Sequence, residues 1–215
     1  AWANREIDTL YAVANRNPQK IEIVADYAAL KKAVRKNKLA AMFGVEGGHM
    51  IEEDISKIDL LYNRGVRYMT LTWNNSTSWA SSAMDESKLK NDPSAKLGLT
   101  EFGKQVVKRM NQLGMMVDLS HVGEKTFWDA IQTTTKPVLV SHSNAYALCP
   151  VFRNLKDEQI DAVGKNGGVI QLNFYSAFVD STFKNREKIF LQNKQAEIKE
   201  LIAKGMQKEY AQTMV

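Results

Sequence analysis

Val117-Asp118-Leu119-Ser120-His121 and, 21 positions later, Val138-Leu139-Val140-Ser141-His142 share one pattern, a short run rich in apolar residues ending in Ser-His. Runs of this length without alternation read as strands buried on both faces, which is the habit of parallel sheets covered by helices. The segment between them, Glu124 to Thr133, carries helical spacing, so the pair forms one strand–helix–strand unit with chemistry at both strand tips. The chain has only three histidines, His49, His121 and His142, and two of them sit at these equivalent positions.

The same rhythm extends in both directions. Leu39 to Val45 (LAAMFGV) is an apolar run that leads into Glu46-Gly47-Gly48. Ile51, Ile55, Ile58, Leu61 and Tyr62 follow at helical spacing, with Gly65 placed to end that helix, and Val66 to Thr72 reads as the next strand. Thr100 is positioned to cap a helix bearing Phe102, Val106, Val107, Met110 and Leu113 on one face, closed by Gly114; Met115 to Leu119 follows as a strand. Beyond Val138 to Val140, Asn154 is placed to cap a helix ending near Gly167-Gly168, and Val169 to Phe174 is a fifth strand. Alternating strands and helices fit either an open doubly wound sheet or a closed barrel. Polar residues decide between them. Glu46, Asp118, Ser120, His121, Ser141, His142 and Asn173 lie at the ends of several different strands, as in a barrel, and no glycine-rich phosphate loop marks a single switch point. A TIM barrel is the expected fold.

Two segments stand outside the rhythm. Trp73 to Gly98 is polar and too long for a plain connection, so a substrate-facing role is expected. The stretch from 183 to 215 is rich in Lys and Glu, and is expected as an exposed helical insertion beside a catalytic domain spanning 1–182.

Composition removes several classes of function. The 215 residues are 44% hydrophobic and 25% charged, ordinary for a globular chain and unlike a disordered one. No uncharged apolar run approaches the ~20 residues of a membrane helix, and Arg5, Glu6 and Asp8 interrupt any leader-like pattern in the first stretch. A net charge of +5 raises the question of nucleic acid. The basic residues are interleaved with acids, however, and the Lys31 to Lys38 cluster falls at a helix C-terminus, where cations favour the dipole. No nucleic-acid partner is expected. The single cysteine, Cys149, excludes an intrachain disulfide and a multi-cysteine zinc site.

Adjacent parallel strands lie about 4.8 Å apart, and neutral imidazole binds zinc at about 2.0–2.1 Å. His121 and His142 can therefore meet on one ion, with Glu46 supplying an oxygen. The alternative is that both histidines only satisfy hydrogen bonds at a polar barrel mouth.

Gly44-Val45-Glu46-Gly47-Gly48-His49, Arg67 to Thr72, Gly98-Leu99-Thr100-Glu101-Phe102-Gly103, Val117 to His121 and Ser141-His142-Ser143-Asn144-Ala145 together resemble the renal (membrane) dipeptidase family of binuclear zinc peptidases. The resemblance runs from about Leu39 to Val179, in order. It implies a TIM (β/α)8 barrel of the metal-dependent hydrolase type that cleaves dipeptides, often with a D-residue at the C-terminal position. By position, Glu46 matches the catalytic carboxylate bridging two Zn2+ ions, and His121 and His142 the pair completing the second zinc. Arg153 matches an arginine gripping the substrate carboxylate, a role that suits its planar fork. His49 reads as structural. The implied partners are a dipeptide substrate and, at most, a second copy in a homodimer.

Two departures accompany the likeness. Many members place a substrate-binding histidine directly after Thr-Leu-Thr; here Trp73 stands there and offers only an indole N–H. The family's first-zinc pair, His-x-Asp, occurs nowhere in the sequence, and nothing after Val179 resembles the family's closing aspartate segment. The expectation is a chain holding about five central barrel strands, inactive by itself. A non-catalytic binding or scaffold protein of the same descent is the competing reading.

Overall fold

The computed structural model describes residues 2–89 and 92–214. Seven strands and eleven α-helices alternate along it. They are α1 (Trp2–Arg16), β1 (Ile21–Ile23), α2 (Tyr27–Arg35), β2 (Leu39–Ala41), β3 (Phe43–Glu46), α3 (Ser56–Asn63), β4 (Val66–Thr70), α4 (Ala83–Lys88) and α5 (Glu101–Leu113). Then come β5 (Met116–Asp118), α6 (Glu124–Thr133), β6 (Leu139–Val140), α7 (Asp157–Asn166), β7 (Val169–Ile170), α8 (Ser176–Val179), α9 (Phe183–Asn193), α10 (Gln195–Ala203) and α11 (Lys208–Thr213).

Strands β3 to β7 form one parallel sheet in sequence order, each joined to the next through a helical connection. The fold is thus mixed α/β with a parallel sheet. Among the described residues β3 and β7 do not pair, so the sheet is open and no closed barrel is formed. Its register brings the strand tips level: Glu46 lies beside Thr70, Thr70 beside Asp118, and Asp118 beside Leu139. Residues just past these positions therefore emerge along one edge.

The helices form for local reasons. In α5 the Thr100 hydroxyl accepts the Gly103 N–H at 3.3 Å, and Gly114 closes the far end in the left-handed conformation. Its apolar face, Val106, Val107 and Met110, is wholly buried. Phe127 and Ala130 of α6 and Ile58 of α3 are equally buried and join the same core against Met69, Val117 and Val140 of the sheet. Fully burying one such aliphatic or aromatic side chain stabilises the fold by about 1.5–3 kcal/mol. No described helix is long and apolar enough to cross a membrane.

Several boundaries differ from the sequence reading. The run Leu39 to Val45 is two strands, because Ile21–Ile23 offers a parallel partner to Leu39–Ala41 in a separate two-stranded sheet. Asn154 does not cap α7. That helix starts from Lys156, whose N–H is taken by the Gln159 side chain at 3.0 Å, while buried Asn154 donates to the carbonyls of Cys149 and Phe178. The fifth strand stops at Ile170, and Leu172 and Phe174 beyond it are exposed. The segment after 182 is three short helices, α9 to α11, broken at Lys194 and at left-handed Gly205. They pack principally on one another and on α8, around buried Ile198 and Ala211. The long loop after Trp73, of which Lys90 and Asn91 lie outside the described residues, is partly packed into the protein. Trp79 to Ser82 are buried, and α4 follows them.

Candidate metal centre

Glu46 is the last residue of β3, and of the two glycines after it the first is required by its backbone conformation and the second by the space available. Gly47 has φ +105°, and a Cβ on Gly48 would lie 2.4 Å from the Trp79 ring and 2.6 Å from the Leu71 carbonyl. The backbone turns sharply there and leaves the Glu46 side chain half-exposed at the sheet edge.

His121 follows β5 in a left-handed conformation, φ +66°. Such a conformation costs an ordinary residue about 1–2 kcal/mol, so the surroundings must impose it. They do: the His121 carbonyl accepts the Ala83 N–H at 2.8 Å, and Ser82 bridges to Val122. The loop before α4 thus holds His121 in place. His142, two residues after β6, donates its backbone N–H to the Ser120 hydroxyl at 2.9 Å.

These three elements bring one carboxylate and two imidazoles together. His121 Nε2 is 2.9 Å and His142 Nε2 3.4 Å from Glu46 Oε1, and the two rings are 4.9 Å apart between centroids. All three donor atoms lie within 4.8 Å of one another. Ligands about 2.0–2.1 Å from a tetrahedral zinc stand about 3.3 Å from each other, so the spacing fits an ion shared by the three side chains. Protonation fits as well. Burial first, then the Arg153 and His142 charges, push His121 down to about 3, and burial and Arg153 lower His142. Both rings are neutral at pH 7, the form that ligates a metal.

Arg153 is only 9% exposed, and its Nε and Nη2 have no hydrogen-bond partner among the described residues. The guanidinium lies 5.2 Å from the Phe178 ring, and burial lowers its pKa to about 10 against the opposing pull of Glu46 and Asp118. It remains a cation, buried with free donors beside the carboxylate–imidazole group. An anion is the natural complement of such a fork. Trp73 stands on the rim, 47% exposed, its ring 6.5 Å from that of His121.

The other candidates lie elsewhere. His49 Nε2 is 3.1 Å from the Ser76 carbonyl and 3.0 Å from Asn75 Nδ2, outside the metal-ligand group. Asn173 uses its backbone on the Asn144 side chain. What the sequence reading missed is Thr70, which joins Asp118, Ser120 and Ser141 in a buried hydrogen-bond network beneath the histidines. The repeated Ser-His at both strand tips was its one visible signal.

Several known proteins are similar to this chain in sequence and fold. The family model for the membrane dipeptidases, peptidase family M19, matches residues 3–205. Among solved structures, the dipeptidase AC, a metallo peptidase of family M19, is 26% identical with a TM-score of 0.75, over 83% of this chain and 52% of that one. The probable dipeptidase PvdM from Pseudomonas aeruginosa is 27% identical with a TM-score of 0.72, over 77% and 42%. A metallo peptidase from Rhodobacter sphaeroides, liganded with a phosphinate mimic of the dipeptide L-Ala-D-Ala, is 26% identical with a TM-score of 0.73, over 81% and 49%. This chain spans about half the length of those structures. With a family model matched along nearly the whole sequence, the chain belongs to the membrane dipeptidase family, peptidase family M19.

Proposed function

We propose that Glu46, His121 and His142 hold a zinc ion in a dipeptide-hydrolysing centre, and that Arg153 receives the substrate's terminal carboxylate. One observation carries this: a neutral two-imidazole, one-carboxylate group converges beside a buried guanidinium whose Nε and Nη2 have no partner among the described residues. A bound metal of this kind polarises a peptide carbonyl and acidifies a water molecule. The protein's own part is to orient and to select. Glu46 presents Oε1 to both imidazoles, and Arg153 fixes the substrate's carboxylate end by two N–H donors. Trp73 closes the rim with an apolar face where a histidine would offer a polar one.

The finer features belong to the same reading. We take the five-stranded sheet as part of a TIM-type barrel wall, the segment 183–215 as an appendage to it, and a C-terminal D-residue as acceptable in the substrate. The sequence contains no His-x-Asp pair, so the first-zinc ligand pair that the family likeness implies is not within these 215 residues. We therefore expect this chain to bind one zinc and not to turn over dipeptides unaided.

The test is zinc titration followed by assay with L-Ala-D-Ala and L-Ala-L-Ala. One zinc per chain, lost in Glu46→Gln and His121→Ala, supports the centre. Turnover by this chain at a rate typical of an intact enzyme would sink the two-metal requirement. A protein of the full family length that binds zinc without turnover would favour the scaffold reading. Light scattering tests the homodimer that the family likeness allows.

A further inference from the structure

Asp118 is completely buried and accepts four hydrogen bonds. Oδ2 takes the Thr70 and Ser141 hydroxyls, each at 2.6 Å, and Oδ1 takes the backbone N–H groups of Ser120 and Ser141, each at 3.0 Å. An ionised carboxylate is an acceptor only, and four donors fill its lone-pair sites. The Ser141 hydroxyl has one proton, and 2.6 Å to a carboxylate oxygen against 3.2 Å to the Ser120 hydroxyl commits that proton to Asp118. The same oxygen lies 2.8 Å from His142 Nδ1. At that nitrogen it can only accept, so Nδ1 carries the proton and Nε2 keeps its lone pair. Nε2 is the atom that faces Glu46, at 3.4 Å.

We propose that Asp118 is a positioning residue for His142: through the Ser141 hydroxyl it sets the Nδ1–H tautomer and leaves the Nε2 lone pair aimed at the Glu46 and His121 donors. Metal-binding histidines generally owe their tautomer to a hydrogen bond from the other ring nitrogen; here the carboxylate acts one hydroxyl away. The same carboxylate ties the tip of β4, through Thr70, to those of β5 and β6. Ring orientation and strand-tip alignment thus share one anchor. His121 has no such device, since its buried Nδ1 finds no partner among the described residues, and its placement depends on the backbone tether to Ala83 instead.

The proposal rests on the metal-centre reading for its purpose, and its test separates the two. The tautomer is read in metal-free protein by long-range proton–nitrogen correlation of the imidazole rings. The expected result is Nδ1–H for His142 in the unaltered chain and in Ser141→Thr, and a shift to mainly Nε2–H in Ser141→Ala. Asp118→Asn should shift it too, because the new amide donates to Ser141 Oγ and frees that hydroxyl to donate to Nδ1. Ser141→Ala leaves Asp118 three of its four donors, the Thr70 hydroxyl and the backbone N–H groups of Ser120 and Ser141, so the deciding variant keeps the clamp between strands. Zinc titration of the same proteins should give affinity about 10–100-fold weaker in Ser141→Ala, restored in Ser141→Thr. His142 found as Nε2–H in the unaltered chain, or a tautomer unmoved in Ser141→Ala, overturns the relay. A chain that takes up no zinc while its tautomer responds as expected supports the relay and overturns the metal reading.

Discussion

Arg153 shows how function and stability pull apart at single residues. A buried guanidinium with two unpartnered nitrogens is costly to the empty fold. Arg153→Met keeps the length and the contact with Phe178 while removing the charge. It should raise unfolding free energy by about 1–2 kcal/mol, as replacing buried charges with apolar groups often does. In a catalytically complete protein the same change should raise KM for dipeptides far more than it lowers kcat. A less stable Arg153→Met in urea unfolding would mean the cation is satisfied in the free protein. His142→Ala is expected to behave in the opposite way, abolishing zinc uptake by elemental analysis while shifting the melting transition little, because the side chain sits at a strand tip outside the packed core. Gly48→Ala should fail for steric reasons, losing about 1–3 kcal/mol, since neither the Trp79 ring nor the Leu71 carbonyl has room to retreat.

Among the elements, α4 matters most to the site although it contributes no ligand. Its first residue, Ala83, holds the His121 carbonyl. Proline is well accepted at the first position of a helix, and Ser82 before it is already extended, φ −84°, ψ 158°. Ala83→Pro therefore keeps the helix and deletes the tether. Weaker zinc binding with a stability loss of about 1 kcal/mol is the expected outcome, checked by titration and urea unfolding side by side. Unaltered zinc affinity would show that His121 holds its left-handed conformation without the loop. In α5, where packing dominates, Met110→Ala should cost about 2–5 kcal/mol, and loss of the Thr100 cap about 1 kcal/mol.

For the whole molecule, the separation between the sheet and the last three helices predicts independence. Every residue of the candidate centre lies before α9, and Phe178, which contacts Arg153, belongs to α8. A chain ending at Thr182 should bind zinc within about threefold of the 215-residue chain, a difference below 1 kcal/mol. Loss of binding would show that α9 to α11 support the site from a distance. The parallel sheet also explains why the ligands sit where they do. Side-by-side strands in register deliver successive strand tips to one edge, so residues far apart in sequence meet without a long loop.

The sequence by itself determined the kinds of elements and offered the candidates for the site. The apolar runs around Val45, Met69, Val117 and Val140 could be read as buried strands, the helical spacing of α3, α5 and α6 could be read directly, and Ser-His at two neighbouring tips already placed both imidazoles on one edge. Local patterns carry that information because periodicity and capping are properties of a few adjacent residues. Tertiary structure decided the rest. Whether Leu39 to Val45 is one strand or two depended on a partner at Ile21–Ile23, and Asn154 left its expected cap for carbonyls of Cys149 and Phe178 that only the folded chain brings near. The left-handed turn of His121, the burial of Arg153 and the Thr70 and Ser141 donors around Asp118 likewise depend on contacts between distant segments. A buried polar group must find its partners wherever the fold presents them, and no neighbour in sequence announces which they will be.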